Sequence, residues 1–282
     1  MWNTRMCLCA SEAQLQIPIE DQIRLFSETG FDGFFTAWTE NCRFLEWKKV
    51  ADSLGMIFQS LHAPYHNVAA IWNDGPDWEH IYGELMSCAE DCSEAEVPIM
   101  VVHAFCGFQD HSPTDSGVEK FRRIAQRAAE LGVKMAVENT EGEEYLAALM
   151  DGLRDMPNVG FCWDTGHEMC YNHSQDLLKL YGDRLLCTHL NDNLGVRDYF
   201  GRTTPYDDLH LLPFEGAADW TELMRRLNRW HYNGPLTFEF KRMNKTGRRS
   251  NNIYEAMDPE TYVAEAYRSA CRVAMLKLRC GE

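Results

Sequence analysis

Val133-Lys-Met-Ala-Val-Glu138 is a short apolar run that ends on a carboxylate. The chain repeats the arrangement at Val159-Gly-Phe-Cys-Trp-Asp164, Leu185-Leu-Cys-Thr-His189 and Pro235-Leu-Thr-Phe-Glu239. A turn or a polar loop follows each run. A buried strand that closes on a charged side chain needs a reason to keep it, because an isolated buried charge is costly. Parallel strands whose ends converge supply one: their last side chains can meet on a single cation. Three carboxylates and an imidazole suit a divalent ion such as Mn²⁺.

Outward from these runs, strand and helix signals alternate along the whole chain. Strands are predicted at residues 5–10, 31–37, 56–62, 98–104, 133–138, 159–164, 185–189 and 236–240. Helices are predicted at 19–29, 42–54, 78–95, 117–131, 142–154, 174–181, 220–230 and 259–278, with Gly30, Gly55 and Gly132 as stops. Such alternation argues for parallel βαβ units. Eight units with near-continuous apolar strands argue for an α/β fold closed into a (β/α)8 TIM barrel. A length of 282 residues suits one barrel, so a single domain over residues 1–282 is expected.

The formal net charge of -16 argues against binding a phosphate backbone or an anionic membrane surface. No nucleic acid or membrane partner is expected. A small neutral substrate, or one held through a cation, fits better. The 11 cysteines are an odd number with no CxxC pair, which points to a reducing cytosol. The first residues lack the apolar core of a signal peptide and no stretch is long enough to span a bilayer, so a cytoplasmic location is expected. Two long loops, 191–218 and 241–258, follow strands and so fall on the catalytic face of a barrel. The second carries Lys241, Arg242, Lys245, Arg248 and Arg249, which read either as a solvated loop or as a lid over an anionic group or a neighbouring subunit.

In a barrel the C-terminal strand ends ring one pocket, and here they supply His62, His103, Glu138, Asp164, His189 and Glu239. His167 lies just past its strand, and Asp208 and His210 sit in the loop after the seventh. Any one of these alone reads as a cap or a surface group. Metal-competent side chains at four to six strand ends do not read as coincidence. His66, His80, His111, His173 and His231 fall away from strand ends and are expected at the surface or in packing. Trp38, Trp72, Phe105 and Trp163 are candidates either for stacking on a sugar face or for ordinary barrel packing.

Leu61-His62-Ala-Pro-Tyr65, Val102-His103, Val137-Glu138-Asn139-Thr140, Trp163-Asp164-Thr-Gly-His167, Thr188-His189-Leu-Asn-Asp192, Asp208-Leu-His210, Gly216-Ala-Ala-Asp-Trp220 and Phe238-Glu239 together resemble the xylose-isomerase-like TIM-barrel superfamily. The resemblance spans essentially the whole chain. It implies a metal-dependent isomerase or epimerase of a small sugar or sugar derivative, with no substrate named. By resemblance to its ketose 3-epimerase branch, Glu138, Asp164, His189 and Glu239 would hold one divalent metal, Mn²⁺ foremost, with Mg²⁺, Co²⁺ or Zn²⁺ open. Glu138 and Glu239 would double as acid–base catalysts on opposite faces of the substrate. His167 would contact substrate, as would an arginine past the metal histidine, for which Arg197 is the nearest candidate at a longer spacing. His62, His103 and His210 would face substrate hydroxyls. Relatives are often dimers or tetramers, so a homo-oligomer is an open expectation.

The chemistry asks for these residue types. Moving a proton beside a carbonyl needs a base near the C–H and a cation that stabilises the enediolate charge. Two faces give epimerisation, and transfer to the neighbouring carbon gives isomerisation. A keto-sugar or keto-inositol dehydratase, or a C-glycoside lyase, could use the same metal site. A tri-zinc apurinic-site endonuclease is a further alternative. That branch uses nine ligands, and His62, His103, Glu138, Asp164, His167, His189, Asp208, His210 and Glu239 match them in type. The net charge and the lack of basic DNA-reading loops weigh against it. No phosphate cradle of the GxxxxGK kind is present.

Overall fold

The computed structural model describes residues 4–108, 112–195 and 204–281. Eight strands appear where the apolar runs put them: β1 (Met6–Ala10), β2 (Gly33–Ala37), β3 (Ile57–His62), β4 (Ile99–His103), β5 (Lys134–Glu138), β6 (Val159–Asp164), β7 (Leu185–His189) and β8 (Leu236–Phe238). All ladders are parallel and run in the order β7-β6-β5-β4-β3-β2-β1-β8. The remaining seam, between β7 and β8, closes through a parallel bridge of Leu190 with Phe238. There Leu190 N donates to Thr237 O (2.8 Å) and Glu239 N donates to Leu190 O (3.1 Å). The result is a nearly closed TIM barrel with helices between the strands.

The helices follow the amphipathic signals, as at Ile19–Thr29, Trp78–Glu94, Trp220–Arg229 and Pro259–Arg279. Gly30 ends the first of these at φ 115°, a left-handed conformation that a Cβ disfavours. The sequence reading missed the helix Thr165–Cys170, which starts directly after β6.

Alternate residues of a strand face opposite ways, and the apolar groups sort accordingly. Ile99, Val101, Ala136, Cys162 and Cys187 form a small cluster of their own. Two residues further along the same strand faces come His103, Glu138, Asp164 and His189. The opposite parity, including Met100, Val102, Met135, Val137, Phe161 and Trp163, joins the large core shared with the helices. Apolar side chains, Ala136, Cys162 and Cys187 among them, thus fill the barrel interior beneath a polar rim of strand ends.

All 11 cysteines are free, and no described helix is long and apolar enough to cross a membrane.

Candidate metal centre

Register sets the first neighbours. His103 lies opposite Glu138 across β4–β5, and Asp164 lies opposite His189 across β6–β7. Glu138 is fully buried and receives four imidazoles. Its Oε2 faces His62 Nε2 (3.1 Å) and His103 Nε2 (3.2 Å); its Oε1 faces His189 Nδ1 (2.9 Å) and His167 Nδ1 (3.6 Å). Glu239, just past the end of β8, places Oε2 3.2 Å from the same His189 Nδ1. The His189 ring stacks on Phe35 at 4.4 Å, which fixes its plane.

Asp164 is both an N-cap and a member of the cluster. Its Oδ1 accepts from His167 N (2.7 Å), starting the helix Thr165–Cys170, and its Oδ2 accepts from Asn191 Nδ2 (2.8 Å). The bland reading of a strand-terminal acid as a helix cap is therefore correct for Asp164 and does not exclude the other role. Gly166 is required by this packing: a Cβ there would collide with Asn191 Oδ1. Gly166→Ala is expected to lower the melting temperature and to weaken metal retention by dislodging Asn191 from Asp164. Thermal unfolding with elemental analysis checks both, and unchanged values in the two would refute the constraint.

Three histidines are anchored the same way. His62 Nδ1 donates to Ala63 O (2.8 Å), His167 Nδ1 to Asn139 O (3.0 Å) and His210 Nδ1 to Glu239 O (3.1 Å). A backbone carbonyl on Nδ1 orients each ring and turns its Nε2 toward the pocket. His210 Nε2 meets Asp208 Oδ1 at 2.9 Å, and His167 Nε2 lies 3.6 Å from the same oxygen. His210 holds a left-handed backbone at φ 49°, a strained conformation that such sites tolerate.

The nine strand-end and loop residues singled out in the sequence gather into three groups, two of which share Glu138. The ligand atoms of Glu138, Asp164, His189 and Glu239 lie within 4.8 Å of one another, as do those of His62, His103 and Glu138, and those of His167, Asp208 and His210. Donors at about 2.0–2.2 Å from one ion stand at most about 4.4 Å apart, so the first set fits a single small divalent cation after shifts of tenths of an ångström. Three carboxylates beside one imidazole also form a donor set that a cation would balance. Cys162 Sγ lies close to Glu138 and His189 from below, but burial holds its thiol protonated.

Charge states follow from the packing. Burial opposes the charge on Glu138, but protonated His189 and the imidazole hydrogen bonds outweigh it and hold the carboxyl well below its usual range. Glu239 is likewise lowered against burial, by His210 and His189. Burial raises Asp164 to about 6. Glu138 and Glu239 raise His189 well above 6.5 in spite of burial. His189 is therefore charged at neutral pH before metal arrives, while an imidazole ligand must be neutral. Metal uptake at pH 7 is expected to release about one proton, and affinity to fall as pH drops through 6, where Asp164 also protonates. Calorimetry in two buffers of different ionisation enthalpy checks this. Heats independent of the buffer would remove His189 from the ligand set.

Several contributors have no role assigned by the sequence, although some stand in the quoted motifs. Asn139 Oδ1 accepts from Asp164 N (2.8 Å) and its Nδ2 donates to Asp164 O (2.9 Å), tying β5 to β6 beside the site. Asp192 is a hub for the loop after β7, accepting from Phe214 N, Ala218 N and Trp220 Nε1 at 2.8–3.0 Å. Tyr65, Phe108 and Tyr171 supply the aromatic walls of the cavity. Trp38, Trp72, Phe105 and Trp163 pack in the core and do not line that cavity, so they are not its stacking surface. The basic loop is tied down: Arg242 is buried, donating to Gln14 O and Met257 O, and Lys241 and Lys245 line the cavity. His66, His80, His173 and His231 are exposed. Arg197 and His111 lie outside the described residues.

The sequence profile described as "Xylose isomerase-like TIM barrel" matches residues 23–269. Uncharacterized protein y4fM of Sinorhizobium fredii (strain NBRC 101917 / NGR234) is 33% identical over 125 residues, 42% of this chain and 37% of its own length. The chain thus matches little more than a third of that relative. Among solved structures, the IOLI protein with a binding zinc atom superposes with TM-score 0.75 at 18% identity, covering 95% of this chain and 98% of that one. D-psicose 3-epimerase in the presence of D-fructose superposes with TM-score 0.69 at 15% identity, covering 96% and 99%. At such identities these likenesses speak for the fold alone. With the strand order of a TIM barrel and a profile that matches most of its length, the chain belongs to the xylose isomerase-like TIM barrel family.

Proposed function

We propose that this chain is a divalent-metal-dependent isomerase or epimerase of a small sugar or sugar derivative. The observation that carries the reading is the convergence of Glu138 and Glu239 on one atom, His189 Nδ1, from β5 and from the end of β8. The two carboxylates flank the floor of a cavity of about 420 Å³, a size that suits a monosaccharide. A divalent cation held by Glu138, Asp164, His189 and Glu239 would stabilise negative charge on a substrate oxygen.

The chain's own residues do the rest. Glu138 and Glu239 are ionised at neutral pH, the form that can take a proton from carbon. Glu239 is the more accessible, with a side chain 20% exposed against 0% for Glu138. A proton taken by one carboxylate and returned by the other changes the configuration of one carbon; returned by the same one to the next carbon, it moves the carbonyl. His62, His103 and His210 line the cavity around the carboxylates, within reach of substrate hydroxyls. Glu239→Gln is expected to cut turnover by about 10²–10⁴-fold with little change in melting temperature, since general acid–base catalysis supplies an effect of that size.

The test is a screen of ketoses, aldoses and keto-inositols with Mn²⁺-loaded protein in D₂O. Deuterium entering one carbon identifies the substrate and the proton that moves. Loss of water or of an aglycone would place the chain with the dehydratases or lyases. A second reading has one observation in its favour: nine ligand-type residues gather around Glu138 and Asp208, as a three-zinc centre needs. Three tightly held zincs per chain together with nicking of abasic DNA would establish it and overturn the sugar reading.

A further inference from the structure

The loop after β8 builds two ammonium groups into the cavity wall. Lys241 N donates to His210 O (3.0 Å), and Lys241 O accepts from Asn251 Nδ2 (2.9 Å), so the backbone beneath the first lysine is clamped. Arg242, the next residue, is buried and anchored to Gln14 O and Met257 O. Lys245 Nζ donates to Asp208 O at 2.7 Å and stands 3.3 Å from Asp208 Oδ2; Lys241 Nζ stands 3.4 Å from that same oxygen. The two lysine side chains keep 30% and 25% of their surface.

Asp208 is the one carboxylate that serves both ammoniums, among the described residues, and it also carries His210 and faces His167. An ammonium has three donors and prefers contacts near 2.8 Å. Lys241 has one long contact and Lys245 has a single short one, to a carbonyl. Of the other loop cations, Arg242 is anchored as above, Arg248 donates to Tyr206 O (3.0 Å) and sits 3.4 Å from Asp207, and Arg249 does not line this cavity. Glu141 lines the same cavity but belongs to the β5 side, across the barrel, and accepts from Gly107 N (2.8 Å). The pocket is therefore polarised, with carboxylates on its floor and under-satisfied cations on the wall beside β8. Against burial, Asp208 and Glu239 together favour the charge on Lys241, whereas burial disfavours it on Lys245, and both ammoniums keep donors free toward the cavity. An anion completes such donors with charge-assisted bonds, about twice as strong as those a neutral hydroxyl accepts.

We propose that Lys241 and Lys245 clamp an anionic group of the substrate, a carboxylate or a phosphate ester carried on the carbon chain away from the reacting carbonyl. The inference deepens the sugar isomerase reading and rests on it for the reacting end. It departs from the neutral substrate that the overall charge of -16 suggests, because local charge at the rim, and not the sum, decides what the pocket accepts.

Two measurements test it. In the D₂O screen, neutral ketoses are compared with their terminal phosphates and with the matching keto acids. One acidic series is expected to exchange with the higher kcat/KM, and which one tells phosphate from carboxylate. Lys241→Met and Lys245→Met are each expected to raise KM for that series by roughly 10–100-fold, with a smaller change in kcat, as for loss of one charge-assisted contact. Separately, inorganic phosphate is titrated into wild-type protein and into the Lys241→Gln, Lys245→Gln double variant. Saturable binding that the double variant loses, with its melting temperature retained, is expected. A neutral sugar used as efficiently as its acidic counterparts, or phosphate binding that is absent or indifferent to the lysines, overturns the clamp and leaves the isomerase reading standing. Lysine-dependent phosphate binding without exchange into any sugar supports the clamp and sinks the isomerase reading.

Discussion

Glu138→Gln is expected to abolish turnover, with a loss of about 10³-fold or more, and to lower bound metal as well. The residue is the hub of the site. One of its oxygens faces His62 and His103; the other faces His189 and His167. An amide keeps the shape but loses the charge, and its nitrogen can only donate where the carboxylate accepted. The imidazoles that face that nitrogen would meet an amide in place of a charge, and His189 would lose the strongest influence holding it protonated. On the proposed function, a base, a ligand and an orienting group disappear in one substitution. The variant should still fold, because the side chain sits at a strand end over the apolar barrel interior. Exchange rates in D₂O, elemental analysis and a melting curve separate these effects. Near-full exchange activity in a folded Glu138→Gln protein would end the two-carboxylate mechanism.

Arg226→Ala is expected to destabilise the fold by about 3–5 kcal/mol, the cost of stranding one member of a buried ion pair. Arg226 lies in the helix Trp220–Arg229 and reaches Glu168 through Nη1 (2.6 Å) and Nη2 (2.9 Å), and Asp176 at 2.6 Å. Its guanidinium lies over the Trp163 ring at 5.1 Å, and Trp163 Nε1 donates to Glu168 Oε2 (2.9 Å). Glu168 is 3% exposed and would be left with a charge and no cation. At roughly 2–4 °C per kcal/mol for a domain approaching this size, the melting temperature should fall by about 6–20 °C. Glu168→Gln in the same chain should recover part of the loss. Arg226→Lys should recover little, because an ammonium cannot make the bidentate contact. The network also supports the helix Thr165–Cys170, which carries His167, so metal-loaded Arg226→Ala should lose activity at temperatures where it is still folded. A drop below 2 °C would show that the pair is replaceable.

The residues that could be read in advance are those governed by the strand period. Glu138, Asp164 and His189 each lie two residues beyond a small interior side chain, Ala136, Cys162 and Cys187, and so share their face of the strand. The same rule decides against Trp163: one residue before Asp164, it must face the helices, and it does, under Arg226. The aromatic walls were not legible, because Tyr65, Phe108 and Tyr171 belong to loops and a short helix end, where no period applies. Asn139 and Asn191 stood in the quoted motifs without a role, since an amide that bonds to neighbouring backbone and carboxylate looks in sequence like any loop amide.

Alternating apolar runs, glycine stops and charged strand ends determined the barrel and the rim of its pocket from the sequence alone, because backbone periodicity is a local property of the chain. Tertiary structure alone decided that Glu138 and Glu239 converge on one imidazole, that Asp208 is shared by two histidines and two lysines, and that the loop after β8 lays its cations along the cavity. Those facts depend on the closing of the barrel and on loop paths, which bring together groups as far apart as His62 and Glu138, 76 residues along the chain.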